Sequence, residues 1–143
     1  MGNAADPTST RTTIHVCVTC KRADEADRPR EDCAGARLHR AVAALAAETS
    51  APVDIVPVEC LSVCRRPVTF GFAAPGKWTY VYADADPDAG AETILNGAAL
   101  YAAAPDGLIP WRQRPDALKK GVISRVPPLA PAIPSPSLPE AAE

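Results

Sequence analysis

The sequence predicts an α/β domain over residues 12–126, a mixed four-stranded sheet with helices packed against it. Three observations carry this. Two β-branched runs, "TTIHVCV" and "PVDIVPVE", flank a helical pattern over Ala34–Thr49, which makes a strand–helix–strand unit. The runs "PVTFGF" and "KWTYVYA" are joined by "AAPG", whose Pro-Gly pair is a turn signal, so they read as a hairpin. A second helical pattern runs from Glu92 to Ala103.

Taken in order, residues 1–11 are small and polar and are expected to be disordered. Thr12 to Val18 is apolar and β-branched, the pattern of a buried strand. Lys21 to Asp32, "KRADEADRPRED", mixes charges with a proline and has no apolar period, so a solvated loop is expected. Leu38, Val42 and Leu45 recur at i, i+4 and i+7 and put one apolar stripe on the first helix. Pro52 to Glu59 is the second strand, alternating through Val53 and Ile55 and less regularly through Val56 and Val58. Asp84 to Gly90 is a loop, and Ile94, Leu95, Ala98 and Tyr101 mark the second helix. Residues 105–128 are expected to be irregular, with a short helix over Pro115–Lys120. From 127 to 143 Pro, Ala and Ser dominate, which predicts a flexible tail. A right-handed crossover makes the first two strands parallel, and the hairpin adds antiparallel ones. This order resembles the thioredoxin-like arrangement, with both helices covering one sheet.

A chain of 143 residues fits one domain. Aromatic residues are only 5%, so a core of small and aliphatic side chains is expected. A net charge of −2 argues against a nucleic-acid partner, which calls for a basic stripe. No apolar run approaches the roughly 20 residues of a membrane span. The opening residues lack the apolar core of a secretory signal, and Gly2 alone makes no acylation signal. The reading is a cytoplasmic protein from a bacterial-looking, alanine-rich chain. In a reducing compartment its five cysteines point to metal binding or catalysis before disulfides.

Cys17 and Cys20 end the first strand; Cys60 and Cys64 end the second, parallel to it. Ligands of open α/β sheets gather at the carboxyl ends of strands, so these thiols are expected at one edge of the molecule. Cys33 opens the first helix, where free N–H groups and the helix dipole favour a thiolate. Four cysteines suit either zinc or a [2Fe–2S] cluster. Cys17-x2-Cys20 with Cys60-x3-Cys64 makes two zinc-like pairs, whereas a cluster tolerates unequal spacing because each iron takes its own pair. Spacing leaves both open.

Read as Cys20-x12-Cys33-x26-Cys60-x3-Cys64, followed by "CRRPVTFGFAAPGKWTY", the chain resembles the thioredoxin-like [2Fe–2S] ferredoxins over roughly Ile14 to Ala104. The resemblance implies Cys20, Cys33, Cys60 and Cys64 as cluster ligands, one-electron transfer to a redox protein partner, pairing as a homodimer, and no enzymatic activity of its own. "VCVTC", "ECLSVC", "APGKWTYVY" and "YAAAPDGLIPW" also resemble small bacterial proteins regarded as metal-binding, some beside genes of cobalamin and cobalt metabolism. That likeness implies the alternative, binding or delivery of zinc or cobalt to a metal-handling partner through Cys17, Cys20, Cys60 and Cys64. The stretch between Cys33 and Cys60 is shorter than in typical ferredoxins of this kind. Cys17 is additional, and stands as the substitute for Cys33. A third reading, thiol–disulfide exchange on Cys17-x2-Cys20, is disfavoured because charged residues follow Cys20 where such motifs open a helix.

Lys21, Arg22, Arg65 and Arg66 flank these cysteines as a basic collar, suited to offset cluster charge and to meet an acidic partner. Taken singly, each reads as a solvated charge. Thr19 and Ser62 are candidate donors to sulfur. By analogy with the fold, the Arg66–Pro67 bond is expected to be cis. Trp78 is read as hairpin packing or a dimer contact, Trp111 as an anchor of the C-terminal segment, and His15 and His39 as structural. "DADPDAG" lacks the glycine and glutamate of a calcium loop. No catalytic triad, glycine-rich phosphate loop or carboxylate pair stands out.

Overall fold

The computed structural model describes residues 11–129. The expectations for residues 1–10 and 130–143 lie outside the described residues. Five strands form one sheet: β1 (Thr12–Cys17), β2 (Val53–Val58), β3 (Phe70–Ala73), β4 (Thr79–Tyr82) and β5 (Val122–Val126). The helices are α1 (Ala34–Thr49), α2 (Ala91–Ala103) and the short α3 (Asp116–Lys120). The sheet order is β2-β1-β3-β4-β5. β1 and β2 are parallel, and every other pairing is antiparallel.

The β1–α1–β2 unit forms as its periodicities dictate. Leu38, Val42 and Ala46 of α1 are buried, as are Ile14 and Val16 of β1. Burying one such aliphatic side chain stabilises the fold by about 1.5–3 kcal/mol. α1 ends where Ser50 turns left-handed, at φ 53°, and its N–H caps the carbonyls of Ala46 and Ala47. α2 packs on α1, and both contact β1. The β3–β4 hairpin turns at Gly76, whose φ of +73° favours glycine, and Lys77 N–H donates to the Ala74 carbonyl at 3.1 Å.

Four features depart from expectation. The sheet has five strands rather than four, because β5 covers the free edge of β4. Its burial shows no alternation: Val122 and Ile123 are half-buried, and Ser124 to Val126 are exposed. A strand that forms to satisfy a neighbour's backbone groups needs no alternating pattern of its own.

The core is more aromatic than the composition implies. Both phenylalanines and all three tyrosines sit within it. The hairpin register sets Phe70 opposite Tyr82 and Phe72 opposite Tyr80. The Phe70 and Tyr82 rings stack at 4.9 Å, and Tyr101 of α2 closes on Phe72 at 5.6 Å.

The charged segment after β1 contains two short 3-10 turns, Ala23–Glu25 and Arg30–Asp32. They are pinned by Glu25, which is buried and pairs with Arg37 of α1 at 2.7 Å. Finally, the cis bond is Pro67–Val68, one position after the expected Arg66–Pro67.

Candidate metal centre

Parallel register brings Cys17 level with Val58, so β1 and β2 end together and release their cysteine loops side by side. Backbone bonds carry the ladder past both ends. Cys17 N–H donates to the Thr69 carbonyl at 3.0 Å, and Val18 N–H to the Val58 carbonyl at 2.9 Å. The loop entering β3 therefore lies against one side of Cys17 and the end of β2 against the other. Between them is a cavity of about 240 Å³, lined by Cys17, Cys20, Cys60 and Cys64 together with Thr19 and Thr69. Cys17 and Cys20 are buried, and Cys60 and Cys64 are exposed.

The first turn of α1 braces this edge. Gly35 N–H donates to the Cys20 carbonyl at 3.0 Å. A Cβ at Gly35 would overlap the Cys17 carbonyl oxygen and stand 3.0 Å from the Cys20 amide nitrogen. Only glycine lets the helix approach the Cys17–Cys20 turn so closely.

The sulfurs form two pairs. A hydrogen bond from Cys20 holds the Cys17 thiol down to about 4 against the upward push of burial. The same bond, then burial, pushes Cys20 up. Cys64 is raised chiefly by its hydrogen bond to Cys60 and by the Cys60 charge. A metal bound here would displace the thiol protons. Cys17 Sγ lies 3.4 Å from Thr19 Oγ1, and Cys20 Sγ lies 3.5 Å from Thr69 Oγ1. The Thr19 hydroxyl also donates to the Glu59 carbonyl, tying the two cysteine loops together. Ser62 acts through its backbone: its N–H donates to Cys60 Sγ at 3.1 Å, from a left-handed φ of 63°. Among the described residues no three Cys, His, Asp or Glu side chains stand together as a ready site for one ion.

The structure brings Cys20, Cys60 and Cys64 to the cavity with Cys17, the residue named as substitute. Cys33 is not among the lining residues. It is fully buried, caps the start of α1, and its thiol donates to the Val18 carbonyl at 3.2 Å. Thr69 was missed by sequence reasoning; its place at the mouth of β3, beside the cysteine loops, was the available signal.

The collar divides. Arg66 pairs with Asp84 at 2.5 Å, and Arg30, outside the expected set, pairs with Glu59 at 3.1 Å. Lys21 lines the cavity while its Nζ donates to the carbonyls of Ala26 and Arg28. Arg65 is exposed beside Cys64.

His15 and His39 are half-buried away from the cavity, and burial lowers both pKa values. The acidic trio is a turn: Asp86 accepts the N–H groups of Asp88 and Ala89, Asp84 holds Arg66, and Asp88 holds Arg37. Trp78 packs in the hairpin under Arg125, 5.3 Å from its ring. Trp111 is 59% exposed and does not anchor by burial; Arg114 and Lys119 lie against its ring instead.

Fold and site together define a thioredoxin-like α/β domain with a thiol-lined cavity at the carboxyl ends of its parallel strands. The chain belongs to the family described as "Protein of unknown function (DUF1636)", which it matches over residues 14–128. Among solved structures it is similar to a thioredoxin-like [2Fe–2S] ferredoxin from Aquifex aeolicus. The two share 14% identity and a TM-score of 0.52, over 85% of this chain and 99% of the other. A likeness at that identity establishes the fold. No curated protein matches the chain.

Proposed function

We propose that the protein is a metal-binding electron carrier that holds a [2Fe–2S] cluster on Cys17, Cys20, Cys60 and Cys64 and exchanges one electron with a redox protein. The observation that carries this is the convergence of four thiols, in two pairs, on one cavity. Thiolates are soft donors suited to iron–sulfur clusters, and two pairs match one pair per iron. The similarity to a protein named as a [2Fe–2S] ferredoxin supports the same reading.

Bound there, the cluster supplies reversible one-electron chemistry. The buried Cys17 and Cys20 and the exposed Cys60 and Cys64 would hold it. The Thr69 hydroxyl and the Ser62 N–H would donate to sulfur, steadying added negative charge and raising the potential, while Thr19 ties its loop to the Glu59 carbonyl. Cys17 takes the place first expected for Cys33, whose thiol is engaged by a backbone carbonyl outside the cavity. In this reading the protein acts in the cytoplasm, as a homodimer with no reaction of its own to catalyse. No helix among the described residues is long and apolar enough to cross a membrane.

The test is anaerobic purification without a metal-binding tag, followed by visible absorption, circular dichroism, and iron and acid-labile sulfide assays. About two irons and two sulfides per chain are expected. A colourless protein carrying zinc, or one taking up cobalt with tetrahedral thiolate absorption, would overturn the cluster in favour of metal binding or delivery on the same thiols.

A further inference from the structure

The two thiol pairs meet solvent unequally. Cys17 and Cys20 are buried, whereas Cys60, Ser62, Cys64, Arg65 and Arg66 are exposed on one loop. On the proposed cluster, the exposed thiol pair is the side nearest to solvent. The loop's charge is one-sided, because the chain holds no carboxylate between Glu59 and Asp84. Those two acids are already paired, Glu59 with Arg30 and Asp84 with Arg66. Asp24 and Asp27 follow Lys21 in its loop but do not line the cavity. Arg65 has no hydrogen-bond or ion-pair partner among the described residues. Leu61, Val63 and Pro67 of the same segment are half-buried and line the cavity. Arg65 is thus an exposed cation next to Cys64 with no carboxylate to offset it, on a chain whose net charge is −2.

We propose that the Cys60–Arg66 loop is the electron-exchange face and that it docks an acidic one-electron redox protein, with Arg65 as the principal charge contact. This rests on the proposed cluster. Electrostatic complementarity of this kind raises encounter rates and weakens with salt.

The test oxidises the reduced holoprotein by stopped flow with two small probes of opposite charge, hexacyanoferrate(III) and tris(phenanthroline)cobalt(III). In each reaction one electron leaves the protein and reduces Fe(III) to Fe(II) or Co(III) to Co(II), with no proton transferred. A change in the protein's potential moves both rates the same way, so the ratio of the two rates isolates the local charge. At low ionic strength Arg65→Glu should lower the hexacyanoferrate-to-cobalt ratio by roughly tenfold, and Arg65→Gln by about half as much on a logarithmic scale. Salt should remove the difference. Arg125→Glu, the same charge change on β5 beside Trp78, should leave the ratio near wild type.

An unchanged ratio in both Arg65 variants, or an equal change in Arg125→Glu, overturns the docking face while leaving the cluster in place. Wild-type oxidation that slows as protein concentration rises would show a second copy covering the loop, which also overturns it. A protein with no reducible centre overturns the proposed function and this inference together.

Discussion

Cys17 and Cys33 are both buried thiols, but their sulfurs face different surroundings. Cys17 Sγ meets Cys20, Thr19 and the cavity, whereas Cys33 Sγ donates to the Val18 carbonyl outside it. Cys17→Ser should therefore lower bound iron to less than half of wild type. Cys33→Ala should keep wild-type iron and visible spectra while losing about 1–2 kcal/mol of stability, from one hydrogen bond and a small void. Iron assays and urea unfolding of both variants check the contrast. Thr69→Val removes the hydroxyl beside Cys20 at nearly constant volume. If the proposed cluster is bound there, that hydroxyl would donate more strongly to the more negative, reduced state. Its loss should lower the midpoint potential by roughly 20–60 mV, a hydrogen bond of about 0.5–1.5 kcal/mol acting on one electron. Potentiometric titration reads it.

At the scale of elements, α1 holds the site from behind. Alanine at position 35 would normally favour a helix by about 1 kcal/mol over glycine. Here its Cβ collides with backbone at Cys17, which cannot swing away like a side chain. Gly35→Ala should destabilise by about 1–3 kcal/mol net and reduce cluster incorporation, measured by urea unfolding and iron content. The 3-10 segment ahead of α1 is held by Glu25. Burial pushes its carboxyl up, but the hydrogen bond from Arg37, the Arg22 N–H and the charges of Arg37 and Arg28 outweigh it and leave the pKa below its ordinary 4.5. A lowered folded pKa gives stability that is fully present above the unfolded value and lost as pH falls through the folded one. Glu25→Gln should thus be less stable than wild type near pH 7, with the gap closing below about pH 4.5. Acid titrations of both proteins followed by circular dichroism test the sign.

For the whole molecule, β5 and α3 close the edge that the hairpin leaves open. Leu118 of α3 is buried, and Ala83 N–H donates to the Gly121 carbonyl at 2.8 Å. Truncation after Gly121 would expose the β4 ladder. The midpoint of thermal unfolding should drop by about 5–10 °C, and the shortened chain should self-associate through the bared edge. Scanning calorimetry and size-exclusion chromatography read the two effects. The cysteine cavity lies at the β1–β2 side of the sheet, so iron binding should survive the truncation.

Local signals determined much of this. The 3.6 period of Leu38 and Val42, the strand runs on either side, and Pro75-Gly76 were enough for the β1–α1–β2 unit and the hairpin. Cysteines following two parallel strands were enough to place a thiol site at their carboxyl ends, because strand order and handedness bring those ends together. Other features were decided only in three dimensions. Which thiols face the cavity depends on the Cys17–Cys20 turn pressed against Gly35, and Cys33 satisfies a carbonyl that no spacing rule identifies. β5 exists because β4 has an edge to cover, and Glu25 is buried because Arg37 lies across from it. Periodicity records what each segment requires along its own length; the partner that satisfies a sulfur, a sheet edge or a buried charge comes from distant chain, and only folding brings it there.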